Sequence, residues 1–218
     1  METTIHSENN NENKVYNLAF GLAIFTIIYN LAEGIIATYF GYNDETIALF
    51  GFGVDSFIEM ISGIGIVVMI LRIRGNPHSP RGGFEMTALK ITGYSFYALV
   101  FGLTLSAIAT VWLGIKPETT YWGVVVSVIS IVVMLFLIYG KIYTGKKLHS
   151  DAIIADANCT KVCIYMSCVL LASSAIYYLT GFAYADALGT LGLAWFSYKE
   201  GKECFEKAAD KEGHHHHH

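Results

Sequence analysis

The stretch Ile47-Ala-Leu-Phe-Gly-Phe-Gly-Val-Asp55-Ser-Phe-Ile-Glu59-Met-Ile-Ser-Gly-Ile-Gly-Ile-Val-Val-Met-Ile-Leu71 is apolar throughout, except for two carboxylates placed near its middle. It is long enough to cross a bilayer, which takes about 20 apolar residues in a helix. Asp55 and Glu59 are four residues apart, so both acids lie on one helical face. Carboxylates at that depth cost several kcal/mol unless a cation, a proton or a basic partner offsets them. Some other part of the chain must therefore complete this face.

The composition supports a membrane protein. Of 218 residues 54% are hydrophobic, and the mean hydropathy is +0.46. Glycine is frequent and proline rare, at 21 and 3, which suits closely packed membrane helices. Residues 213–218 read as a purification tag, leaving His6, His78 and His149 as native histidines. The basic residues are scattered between apolar runs, so no nucleic-acid partner is expected. The polar start shows no pattern of a removable signal peptide. Three of the four cysteines fall in one apolar segment, which argues for reduced or metal-bound thiols rather than a disulfide framework.

Read in order, residues 1–13 are polar and expected to be disordered. Six apolar runs follow, at 15–39, 47–71, 84–114, 119–143, 150–179 and 184–204. The expected fold is an all-α membrane protein, a single domain of six transmembrane helices over residues 14–208. Residues 209–218 form a charged tail and the tag. Arg72, Arg74 and Arg81, then Lys141, Lys146 and Lys147, then Lys199, Lys202, Lys207 and Lys211 fall on one side of six alternating helices. Lys14 joins them, and the opposite loops hold only Lys116. The positive-inside rule then puts both termini in the cytoplasm, in the cytoplasmic membrane if the source is bacterial.

The fifth run carries Asp156, Cys159 and Cys163 on one stripe, continued by Ser167. Either cysteine alone reads as a small core residue. Two at i and i+4 beside an aspartate on the same face match the spacing by which one helix gives two ligands to one ion. Asp55 lies about 14 Å from the outer end of its run and Cys159 about 14 Å from the inner end of its own, so both reach the middle of a core about 30 Å thick. Antiparallel helices would then present Asp55, Glu59, Cys159 and Cys163 to one tetrahedral ion. Such a set suits zinc, with cadmium, iron(II) and cobalt left open.

The same residues carry a resemblance. Ala48-Leu-Phe-Gly-Phe-Gly-Val-Asp55-Ser-Phe-Ile-Glu59 resembles the second helix of the cation diffusion facilitator (cation efflux) family, which places His or Asp and then Asp at these two positions. Ala155-Asp-Ala-Asn-Cys159-Thr-Lys-Val-Cys163 is similar to the family's fifth-helix motif Ala-Asp-x-x-His-x-x-x-Asp. His78-Ser-Pro-Arg-Gly-Gly-Phe-Glu85 resembles the loop after the second helix, and Ala185-Asp-Ala-Leu-Gly189 the start of the sixth. Glu59, Cys159 and Cys163 replace the family's Asp, His and Asp. The resemblance implies a divalent transition-metal exporter, not an enzyme, that exchanges metal for protons by alternating access. It points to a short member without the family's cytoplasmic C-terminal domain, dimerising through its membrane helices. Ligands that must lose protons to bind metal give a chemical reason for such exchange.

The other polar residues are secondary. Lys161 lies about 160° around the helix from the thiols and is expected in a buried ion pair with Glu33 or Asp186, with proton coupling as a lesser role. Asp156 reads as a supporting group or proton carrier, Asp186 as a structural contact at a helix start, and Asn30 and Glu33 as interhelical hydrogen bonders. His78, His149 and Asp151 sit at the cytoplasmic rim. Two competing readings are a membrane thiol-redox enzyme using Cys159 and Cys163, and a metal-binding receptor that transports nothing. The first leaves Asp55 and Glu59 unexplained.

Overall fold

In a computed structural model the chain is all-α. The structure describes residues 2–43, 47–76, 81–114, 116 and 121–215, with side chains placed from residue 12 in the first helix, from 49 in the second, and up to 212. The helices are α1 (Glu2–Asn43), α2 (Ile47–Gly75), α3 (Arg81–Trp112), α4 (Tyr121–Leu148), α5 (Asp151–Thr180) and α6 (Ala185–His215). His78 and most of the turn before α3 lie outside the described residues.

Among the described residues, five helices, α1 to α5, are long and apolar enough to cross a membrane. The sixth run, expected as an equivalent span, differs. Its apolar part ends at Tyr198, after which Lys199, Glu200, Lys202 and Glu203 crowd the helix. Residues 185–198 rise only about 21 Å. Along its length α6 packs mainly against α3, burying Leu193, Ala194, Cys204 and Ala208. The principal core lies among α1, α2, α3, α5 and α6 and includes Ile66, Ile70, Leu89, Phe96 and Val162.

Small residues bring α1 and α2 together. A Cβ on Gly53 would stand 2.7 Å from Thr38 N and 3.0 Å from Gly34 O, and one on Gly34 would stand 2.9 Å from the Phe57 ring. Glycine at these positions lets the backbones approach, as expected where van der Waals packing drives helix association. The crossing lies next to Asp55 and fixes α2's acidic face relative to α1.

Among the described residues, both terminal stretches continue as helix. The N-terminus, expected as disordered, is helical from Glu2. No Gly or Pro lies between Glu2 and Phe20, so a helix nucleated in the membrane extends outward with only small propensity costs. Arg81 pairs with Glu12, Arg74 donates to Asn17 Oδ1 at 2.6 Å, and Arg74 and Arg81 lie over the rings of Phe20 and Tyr16. The charged tail, as far as His215, likewise belongs to α6. Lys211 Nζ reaches Glu85 Oε2 at 2.9 Å and Asp151 Oδ2 at 3.1 Å, and Lys90 pairs with Glu212. Partial burial works against the Lys211 charge, but these two carboxylates outweigh it and hold its pKa above the ordinary value. The inner ends of α3, α5 and α6 are thereby tied together.

Gly53→Ala should therefore lower the midpoint of thermal unfolding in detergent, by an overpacking cost of about 1–3 kcal/mol. Gly21→Ala, whose added methyl meets nothing within 4 Å, should leave the midpoint unchanged or slightly higher.

Candidate metal centre

Asp55 and Glu59 project from one face of α2 toward α5, which runs antiparallel to it. The Cys163 Sγ stands 3.0 Å from Asp55 Oδ2 and 2.8 Å from Glu59 Oε2, so one thiol proton serves two carboxylates. All three side chains are almost wholly buried, at 1%, 3% and 0% exposure for Cys163, Asp55 and Glu59. The convergence expected from the spacing on two helices is present for these three.

Cys159 sits one turn inward on the same stripe, also buried, but packed into the main apolar core without a hydrogen bond to either carboxylate. Both thiols are free. Among the described residues, no three His, Cys, Asp or Glu side chains stand in ligand geometry for an ion. The thiol and acids are instead closed onto one another by hydrogen bonds.

On the inner side the network continues through groups the sequence reading weighed lightly. Glu59 Oε1 accepts from Thr160 Oγ1 at 2.5 Å, and Thr160 Oγ1 accepts from Lys141 Nζ at 2.7 Å. Lys141 also pairs with Asp156 Oδ2 at 2.9 Å and lies 3.6 Å from Glu59 Oε1. Asp156 Oδ1 in turn accepts from Ser62 Oγ at 2.7 Å, and Ser62 shares a hydrogen bond with Thr92 Oγ1 at 2.9 Å. Asp156 is thus a supporting group beside the acids, one removed from the thiol.

Lys141 is the residue that sequence reasoning missed, having counted it among the cytoplasmic loop charges. It is 2% exposed and belongs to α4's buried stripe Gly123, Ser127, Ser130, Met134, Leu137, Lys141, Thr144. That alternation of four and three residues was available as a signal. A lysine in register with Met134 and Leu137 faces the bundle, not the loop.

Of the other polar residues, Lys161 and Asn30 differ from expectation, while Glu33 and Asp186 make the kind of contact expected. Lys161 forms no ion pair with Glu33 or Asp186. It is half-buried and donates to Asn158 Oδ1 at 2.7 Å, while Asn158 donates to Glu200 Oε2 at 2.6 Å. Its face of α5 points toward α6, whereas Glu33 lies across the bundle and Asp186 at the outer end. Glu33 accepts from Tyr29 Oη and from Ser56 Oγ, both at 2.9 Å, and so joins α1 to α2 one residue from Asp55. Asn30, by contrast, is fully buried with neither amide atom bonded to a described group. Asp186 accepts from Ser173 Oγ at 3.2 Å, the structural contact expected of it.

A cavity of about 210 Å³ lies between α2, α3, α5 and α6 in the outer half of the bundle. Its walls are apolar, with Phe50, Leu103, Met166 and Leu170 among them, and Asp55 and Asp186 both reach it. Further inward, α2, α3, α4 and α5 are joined by the Lys141–Asp156–Ser62–Thr92 network.

The family model for the cation efflux transmembrane domain matches residues 22–210. The chain belongs to the cation efflux family. It is also 27% identical over 176 residues to an uncharacterized transporter of Methanocaldococcus jannaschii, an alignment covering 78% of this chain. It spans 62% of that relative's length.

Thr160 joins the Glu59 carboxylate to the Lys141 ammonium with one hydroxyl. Thr160→Val keeps its shape and leaves both charged groups short of a partner, which should cost about 1–3 kcal/mol in thermal unfolding. Thr160→Ser should cost clearly less.

Proposed function

We propose that this protein exports a divalent transition-metal ion across the membrane in exchange for protons, with Asp55, Glu59 and Cys163 as its core ligands and Cys159 as the fourth. The observation that carries the reading is the Cys163 thiol seated between two buried carboxylates from a facing helix. Such a set is costly in a bilayer unless a cation uses it. Membership of the cation efflux family supports cation transport, and the donor chemistry narrows the cargo. Thiolate and carboxylate together favour zinc, with cadmium, iron(II) and cobalt as the ions a borderline site also accepts.

Proton exchange follows from where the thiol proton lies. It occupies the contact between sulfur and carboxylate that a metal would take, so metal and proton exclude each other at one place. The outer cavity that reaches Asp55 supports release toward the extracytoplasmic side. Entry from the cytoplasm requires the inner half of the bundle to part, which is the second state of an alternating-access cycle. Association through membrane helices as a dimer belongs to the same proposal.

The test is metal flux in proteoliposomes under an imposed pH gradient, comparing zinc, cadmium, iron(II), cobalt and manganese. Flux of at least one ion with proton movement in the opposite direction is expected. Asp55→Asn and Cys163→Ala should each reduce that flux to the protein-free background while the purified protein still unfolds cooperatively. Full transport by either variant would remove these residues from the site.

A further inference from the structure

Lys141 has no part in the ligand set just proposed, yet it is the one Lys or Arg that is buried among the described residues. An ammonium in the membrane interior is as costly as a carboxylate, so both its position and its partners require an account. It lies seven residues before the inner end of α4, about 10 Å into the helix. From there its Nζ contacts three side chains on two other helices: Asp156 and Thr160 of α5, and Glu59 of α2. Ser62 and Thr92 extend the same network from α2 to α3. Four helices are therefore joined immediately on the cytoplasmic side of Cys163. On the opposite side of the same thiol, a cavity reaches Asp55.

We infer that Lys141 is a tethered cation that closes the cytoplasmic path to the metal centre, and that an arriving divalent ion opens the path by taking Glu59 from it. The inference rests on the metal reading of Asp55, Glu59 and Cys163. Lys141 holds Glu59 more loosely than Asp156, at 3.6 Å against 2.9 Å. Loss of the Glu59 contact alone leaves the ammonium paired with Asp156, so the exchange strands no charge in the membrane. A divalent ion bound at Glu59 would repel the ammonium across only a few ångströms, in a medium that screens little. Metal and ammonium thus compete for Glu59 alone. The Lys141–Asp156 pair involves no ligand and remains to close the path behind a loaded ion, and an empty centre regains the full clasp.

The native thiol is the probe. In sealed vesicles of known orientation, carrying Cys168→Ala and Cys204→Ala to remove the other two thiols outside the centre, a membrane-impermeant methanethiosulfonate is added to one side at a time. Modification of Cys163 is read by mass spectrometry. With Lys141 intact, Cys163 should react from the outer side and be shielded by zinc. Lys141→Met should make it react from the cytoplasmic side about tenfold faster than the parent, the scale on which loss of a supporting contact alters a metal site. Lys141→Arg should keep the parental sidedness. Ser62→Ala, which removes one hydroxyl and no charge, should shift reactivity the same way by a smaller factor and serves if Lys141→Met does not fold. Unchanged sidedness in Lys141→Met, or in Ser62→Ala where the first is not recovered folded, overturns the inference and leaves the metal reading standing. If zinc, cadmium, iron(II) and cobalt all fail to shield Cys163 in the parent, the metal reading is overturned and with it the displacement step, whatever the sidedness shows.

Discussion

The structure depends on accommodating carboxylates inside a bilayer. Asp55, Glu59 and Asp156 are all nearly inaccessible and sit within hydrogen-bonding reach of one continuous set of partners. None could remain there ionised and alone. Each is met by its own combination of donors: the Cys163 thiol spans Asp55 and Glu59, Thr160 and Lys141 meet Glu59, and Lys141 with Ser62 meets Asp156. Because those donors come from α2, α4 and α5, satisfying the acids fixes how these helices face one another. The packing of the bundle and the chemistry of its centre are one constraint.

That constraint also explains the asymmetry between the two halves of the bundle. The hydroxyls and the lysine gather on the cytoplasmic side of Cys163, where they draw α2, α3, α4 and α5 together. On the other side, Phe50, Leu103, Met166 and Leu170 surround open space with few polar contacts to pull it shut. A polar network closes a gap specifically, whereas apolar side chains in a lipid setting gain little from closing it, since lipid is as apolar as they are. The inner ends are fastened further by Lys211 to Glu85 and Asp151, and by Arg74 and Arg81 to the start of α1. The inner face is thus tied by polar contacts, while the outer one keeps an apolar cavity.

Much of this was legible from residue order alone. The apolar runs and their basic flanks give the helix count and direction, because a bilayer imposes length and charge rules that act on the chain locally. The i, i+4 pairs Asp55 and Glu59, and Cys159 and Cys163, each define a face, because helical geometry is local too. Antiparallel depth brings Asp55 level with Cys159 to within about a turn; the structure sets Cys163, one turn further out, against the two acids. The sixth helix was less legible. Its charges begin at Lys199, so what allows it to pack is α3's surface and the Lys211 pairs, which hydropathy does not register.

What the sequence by itself determined is therefore the set of helices, their orientation and the faces carrying chemistry, since each follows from interactions within a few turns of one chain. Only the tertiary structure decided which face meets which. It set Lys141 against Asp156 and Glu59, turned Lys161 away to Asn158, and left Cys159 in the core while Cys163 took the carboxylates. A long basic side chain in an apolar run has several acids within plausible reach, and its choice depends on helix rotation and crossing. Those are set by close contacts such as Gly34 against Gly53, between residues far apart in sequence, and no local rule contains them.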